Sequence, residues 1–140
     1  MAEIREVLAG RLSIAGQVPT ETDCANNPLV VDLDDHRYNG TAAFIPHYYA
    51  RYPLVNVAVP QMTEVETIAR FATSVLLRGH PVIIVSTGPV PRAMVAARTM
   101  HLTIGGTIQG AILAVNKADD TAFSDDRVVD VMLALGGGAR

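Results

Sequence analysis

The chain has 140 residues, 49% of them hydrophobic and 18% charged, a balance that describes one globular domain and excludes a disordered chain. Its net charge of −3, with no basic run, leaves no electrostatic footprint for nucleic acid. No apolar run approaches the roughly 18 residues that a membrane span requires.

In chain order, EIREVLAG reads as a short helix or strand, and no signal peptide is expected from an acidic start without a hydrophobic segment. RLSIAGQVPTETD carries an apolar SIAG step and then a Pro-Thr-Glu-Thr-Asp turn. PLVVDLDD predicts a strand, because Leu29, Val30, Val31 and Leu33 form a compact, largely β-branched run that ends in acids. HRYNGTAAFIPHYYARYP is expected to be irregular, with Asn39-Gly40 as a turn and Pro46 and Pro53 as punctuation. LVNVAVP reads as the next strand.

TEVETIARFATSVLLRG gives the clearest helical pattern. Val65, Ile68, Ala69, Ala72, Val75 and Leu76 recur at helical spacing. Thr63 and Glu66 have the spacing of a capping box. Gly79 suits the position after the helix, where a positive φ is needed, and Pro81 prevents continuation. PVIIVS predicts a strand buried on both faces of a sheet. PRAMVAARTMHL follows as a helix with Pro91 at its N-terminal edge. TIQGAILAVNKA and SDDRVVDVMLAL predict two more helices, the last with Ser124 as N-cap and Asp125 and Asp126 on the positive end of its dipole. The pattern implies an α/β domain with a small, mostly parallel central sheet flanked by helices. It spans 1–140 as one unit, with a core of about 11–135 and GGGAR as a frayed tail.

The stretch VIIVSTGPVPRAMVAARTM concentrates the chemistry. A strand that enters a tight loop and then a helix aims backbone N–H groups, and the positive end of a helix dipole, at one point. Arg92 in the first turn adds a planar fork suited to an oxyanion. Val85-Ser86, then TGPVP, then Arg92 resembles the signature of the cysteine-dependent protein tyrosine phosphatase superfamily, closest to the compact dual-specificity phosphatases: His-Cys, five residues, then Arg. The order of VVDLDD, YPLVNVAVP, the helix from Thr63, the apolar strand and the closing helices is similar to that family over roughly residues 11–135. The resemblance implies the phosphatase fold and a phosphate loop of Ser86, Thr87, Gly88, Val90 and Arg92.

The departures from the family fall on its chemistry. Ser86 replaces the cysteine, and an alcohol would need an adjacent general base that the family's thiolate does not. Val85 replaces the histidine, so His80 or His101 would have to arrive through the fold. Gln61 lies near the position of the family's general acid and cannot serve as one; Glu64 and Glu66 are weaker substitutes. Pro89 and Pro91 lack two cradle amides. Gly88 sits one position early, and Ala93 replaces the hydroxyl residue that commonly follows the arginine. These concurrent changes point to a natural pseudophosphatase rather than a single engineered replacement of a cysteine.

Other signals have plainer readings. Asn116-Lys117-Ala118-Asp119 matches the N-K-x-D guanine pattern, but without a GxxxxGK[ST] loop it reads as the polar end of a helix. Cys24 has no second cysteine to pair with, reads as structural, and fits a reducing, intracellular, cytoplasmic setting. Asp32, Asp34, Asp35 and His36 read as a solvated strand end rather than a metal site. Tyr38, Tyr48, Tyr49 and Tyr52, with Arg51 and His47, suit either a recognition rim or a cover for the sheet edge.

The sequence therefore leads to a catalytically inactive phosphatase-like domain that works by binding a protein partner, phosphorylated or not, within a larger assembly. Any residual phosphate recognition falls to the loop residues. No cofactor or metal is called for. Two alternatives stay open: an active phosphoesterase using Ser86, and a structural subunit with an occluded loop.

Overall fold

A computed structural model of the chain describes residues 4–17, 19–34, 48–54, 60–119 and 126–135. Among these, β1 (Ile4–Leu8), β2 (Leu12–Ala15), β3 (Leu29–Asp32), β4 (Tyr48–Arg51) and β5 (Val82–Val85) form one sheet in the order β1-β2-β5-β3-β4. β1 pairs antiparallel with β2, and every other pairing is parallel. The expected small, mostly parallel sheet is present, and Ile4–Leu8, within the stretch read as a helix or strand, is its antiparallel edge.

β5 sits at the centre, with β2 on one side and β3 on the other, and all four of its residues are buried. A strand without a solvent face has no need of polar alternation, which explains the unbroken VIIV. Four helices complete the described fold: α1 (Met62–Leu76), α2 (Pro89–Ile104), α3 (Ile108–Ala118) and α4 (Asp126–Leu135). Leu12, Ile14, Val31, Val82 and Ile84 share the main core with Val65, Ile68, Met94, Ile112 and Met132 of the helices. Alternate strand residues Ala15, Val30, Ile83 and Val85 form a smaller cluster on the other face with Cys24. The lone cysteine is thus a buried packing residue, as its reading predicted. No helix of the described residues is long and apolar enough to cross a membrane.

Two local expectations need correction. Tyr48–Arg51, expected to be irregular, is β4, in parallel register with β3. The segment is short, aromatic and at the sheet edge, so one ladder and its side-chain packing outweigh the neighbouring Pro53. Of the strand expected over LVNVAVP, Leu54 and Pro60 belong to no strand, and 55–59 lie outside the described residues. The second correction is the Thr63–Glu66 capping box, which does not form. The N-cap is Gln61, without a side-chain bond, and Thr63 lies inside the first turn.

The other end of α1 follows its sequence. Gly79 takes φ +83°, and the amides of Gly79 and His80 close on the carbonyls of Leu76 and Val75 at 2.9 and 3.3 Å, the Schellman pattern that favours glycine. α3 starts where expected, with Thr107 Oγ1 accepting from the Gly110 amide at 3.1 Å. Ser124 and Asp125, expected to cap α4, lie outside the described residues.

Candidate functional site

The ladder carries Ser86 to the C-terminal edge of the sheet. The Val85 carbonyl accepts from the Leu33 amide at 2.8 Å, and the Ser86 amide donates to Ala15 at 3.2 Å. The chain then turns through Thr87 and Gly88 into α2. The helix begins at Pro89, two residues before the expected start, so both prolines lie in its first turn. Their missing N–H groups are ones a helix start leaves unpaired in any case, and their fixed φ suits the helix. Gly88 has φ −78°, which other residues can adopt, and an added Cβ would meet only the Pro91 ring at 3.7 Å. Its glycine identity is not forced by backbone geometry.

Ser86 is 1% exposed. Its hydroxyl donates to the Gly88 carbonyl and accepts from the Arg92 amide, at 3.2 Å for the latter. Both partners are backbone groups, and neither can take a proton as a general base. His80 and His101 do not supply one. His80 precedes β5 and packs edge-on against Tyr48, with ring centroids 4.8 Å apart, at the opposite end of the strand from Ser86. His101 lies about 13 Å along α2 from Arg92 at the rise of a helix, and its Nδ1 is 2.9 Å from Arg98 Nη1.

Arg92 is held inside the loop. Its Nη1 donates to the carbonyls of Ser86 at 2.7 Å and Thr87 at 3.3 Å, and its Nη2 pairs with Asp119 Oδ2 at 2.7 Å. The arginine side chain is 14% exposed and Asp119 is 5% exposed, so this ion pair is largely desolvated. Gly16, just after β2, lies beside the guanidinium: an added Cβ there would stand 3.4 Å from Nη1, an ordinary contact distance. Asp119 is the last residue of the Asn116–Asp119 motif. It ends α3 as its C-cap and answers Arg92.

A second carboxylate meets the loop from β3. Asp34 Oδ2 accepts from both the amide and the hydroxyl of Thr87, each at 2.7 Å. The Asp34 amide donates to Asp32 Oδ1 at 3.0 Å, and the Tyr49 hydroxyl donates to Asp32 Oδ2 at 2.6 Å. The solvated strand end is therefore incorrect for Asp32, which is fully buried and hydrogen-bonded. Asp35 and His36 lie outside the described residues, and these contain no group of three or more metal-ligating side chains.

The acid positions also separate. Gln61 is exposed at the start of α1. Glu64 borders a cleft of about 350 Å³ that Arg51, Tyr52 and Leu54 also line. Glu66 turns to α2, where Arg98 grips both its carboxylate oxygens at 2.7 and 3.1 Å and Arg70 adds a contact at 2.7 Å. The Arg98 hydrogen bond, above all, holds the Glu66 carboxyl below the usual glutamate range against the opposing effect of burial. That favours an ionised structural anchor over a proton donor. Of the tyrosines, Tyr49 bonds Asp32 and Tyr52 packs on Phe71 at 5.7 Å; Tyr38 and His47 lie outside the described residues.

Sequence reasoning grouped Ser86, Thr87, Gly88, Val90 and Arg92 as one phosphate loop; in the structure Ser86, Thr87 and Gly88 form the turn, and Val90 and Arg92 lie in the first turn of α2. That reasoning missed Asp34 and Asp119 as partners of the loop, along with Tyr49 and Gly16. The LDD run and the final aspartate of NKAD were visible, but no spacing links either to residues 87 or 92.

This architecture is that of known phosphatases. Tk-PTP in its active form superimposes with a TM-score of 0.73 at 15% identity, over 96% of this chain and 96% of that one. Human DUSP28 gives a TM-score of 0.73 at 14% identity, over 96% and 93% of the two chains. Kinase associated phosphatase carrying serine in place of its catalytic-site cysteine gives 0.63 at 12%, over 94% and 91%. No protein-family model and no curated protein matches the chain by sequence. The chain thus has the dual-specificity and protein tyrosine phosphatase fold, with a mixed five-stranded sheet and four helices among the described residues.

Proposed function

We propose that this is a phosphatase-fold domain that binds a protein partner and does not hydrolyse phosphate esters. The observation that carries the reading is the state of Ser86. Its hydroxyl is buried, donates to one backbone carbonyl and accepts from one backbone amide. An alcohol needs a base to become a nucleophile, and the loop's dipoles alone leave it protonated. With Gln61 near the general-acid position and Glu66 committed to Arg98, acid assistance is lacking among these candidates as well. What survives is a shaped loop on a rigid sheet, suited to recognition.

The structural-subunit reading has support of its own, because Asp34 and Asp119 take up donors of Thr87 and Arg92. Both readings agree that Ser86 does no chemistry. They part on whether the loop accepts an oxyanion, which a phosphate titration reads.

The test of the shared claim is turnover of a generic aryl phosphate by the wild type and by Ser86→Ala. The expected result is the same background rate for both. Wild-type turnover that Ser86→Ala abolishes would make the chain a serine phosphoesterase and sink the proposal.

A further inference from the structure

Asp34 lies beyond the end of β3, yet its side chain acts on the loop after β5. Two donors of one residue, the amide and hydroxyl of Thr87, converge on a single carboxylate oxygen at 2.7 Å. Convergent, charge-assisted donors of this kind are what a loop offers to one oxygen of an oxyanion. Here the chain itself supplies that oxygen.

The placement of Asp34 is built rather than incidental. Its amide is tied to Asp32 Oδ1, and the other oxygen of the fully buried Asp32 takes the Tyr49 hydroxyl. Residues from β3 and β4 therefore aim the carboxylate at the loop. Two like charges cannot share one donor set without strong repulsion, so an arriving phosphate and Asp34 exclude each other at Thr87.

We infer that Asp34 is a resident carboxylate ligand of the loop: it occupies the Thr87 donors that a phosphate-type oxyanion needs, and phosphate enters only when Asp34 is displaced or loses its charge. The inference rests on reading the loop as the anion-binding loop of a phosphatase-fold domain. It adds the element that keeps this loop closed at rest. Asp119, across the loop on Arg92, leaves the guanidinium facing the protein and reinforces the closed state.

The experiment is calorimetric titration of inorganic phosphate at low salt into the wild type, Asp34→Ala and Asp34→Asn, with a thermal melt of each. Asp34→Ala is expected to bind phosphate about tenfold or more tighter than the wild type, the scale of one hydrogen bond to a charged group. Asp34→Asn keeps the shape without the charge and should fall between. Adding Thr87→Val to Asp34→Ala should reverse part of the gain. An Asp34→Ala protein that melts normally and binds phosphate no tighter than the wild type overturns the inference, and so does the absence of binding in every variant. Should Asp34→Ala fail to fold, Asp34→Asn decides by the same criterion. Aryl phosphate turnover on the same samples reads the proposed function separately: Ser86-dependent turnover would sink that reading whatever the titration gave.

Discussion

Arg92 and Asp119 meet where water is mostly excluded, and each supplies the charge that the other requires there. Removing one partner takes from the other its counter-charge in a largely water-excluded place, a larger penalty than loss of an exposed pair. Arg92→Met is therefore expected to destabilise the fold by roughly 3–5 kcal/mol in urea denaturation. The double variant Arg92→Met with Asp119→Leu should recover much of that loss, so a double-mutant cycle will show strong coupling. Additive single effects would mean that the pair is not a unit. Arg92 was legible in the sequence because a strand, a loop and a helix fix its place locally. Its partner was not, because Asp119 reaches it only through the packing of α3 beside α2. The same holds for Asp34, whose run of acids looked like a solvated strand end until β3 and β5 were set side by side.

At the level of elements, α1 shows a local signal losing to a tertiary one. Thr63 and Glu66 have the capping-box spacing, but Glu66 joins α1 to α2 through Arg98. One carboxylate cannot reach back to a helix start and also across to another helix, and the bidentate, partly buried pair is the stronger interaction. Glu66 has its folded pKa lowered, first by the Arg98 hydrogen bond and then by the charges of Arg98 and Arg70. Its contribution is fully present above the unfolded glutamate pKa and is lost as pH falls through the folded value. Stability should decline with acid through and below the ordinary glutamate range, and Glu66→Gln should lower stability at neutral pH while flattening that decline. A pH series of denaturation midpoints checks this; an unchanged slope in Glu66→Gln would remove Glu66 as the source. The long amphipathic period of α1, the glycine after it and the unbroken VIIV were all legible because each depends on local pattern. β4 was missed because an edge strand of four residues between prolines carries little periodicity of its own.

For the molecule as a whole, the order of elements was readable from α1 onward, since the buried strand and the helices there each carry a local pattern of their own. Pairing was not, because register depends on which distant strands share a core. Cys24 offers a probe of that whole. It is 6% exposed against Ala15, Val30, Ile83 and Val85, and burial, then the Asp23 charge, pushes its thiol pKa up. Native Cys24 should react with a thiol reagent at least about a hundredfold more slowly than in urea, because labelling awaits opening of the fold. Rapid labelling under native conditions would show that the small face of the sheet opens on its own.

The central place of β5 also has a kinetic meaning. Val82 is the register partner of both Leu12 and Leu29, so the β1–β2 and β3–β4 pairs cannot be joined into one sheet until the chain has reached β5. The β1–β2 hairpin, joined by a short turn with Gly10 at φ +71°, can form at once, but the other edge of β2 then waits for a strand about 70 residues downstream. Closing loops of that length before any reward in contacts slows folding and leaves apolar strands without partners meanwhile. A ribosome making this chain would hold an unfinished sheet until residue 85 emerged, and that interval is when the sequence is most exposed to pairing with the wrong neighbour.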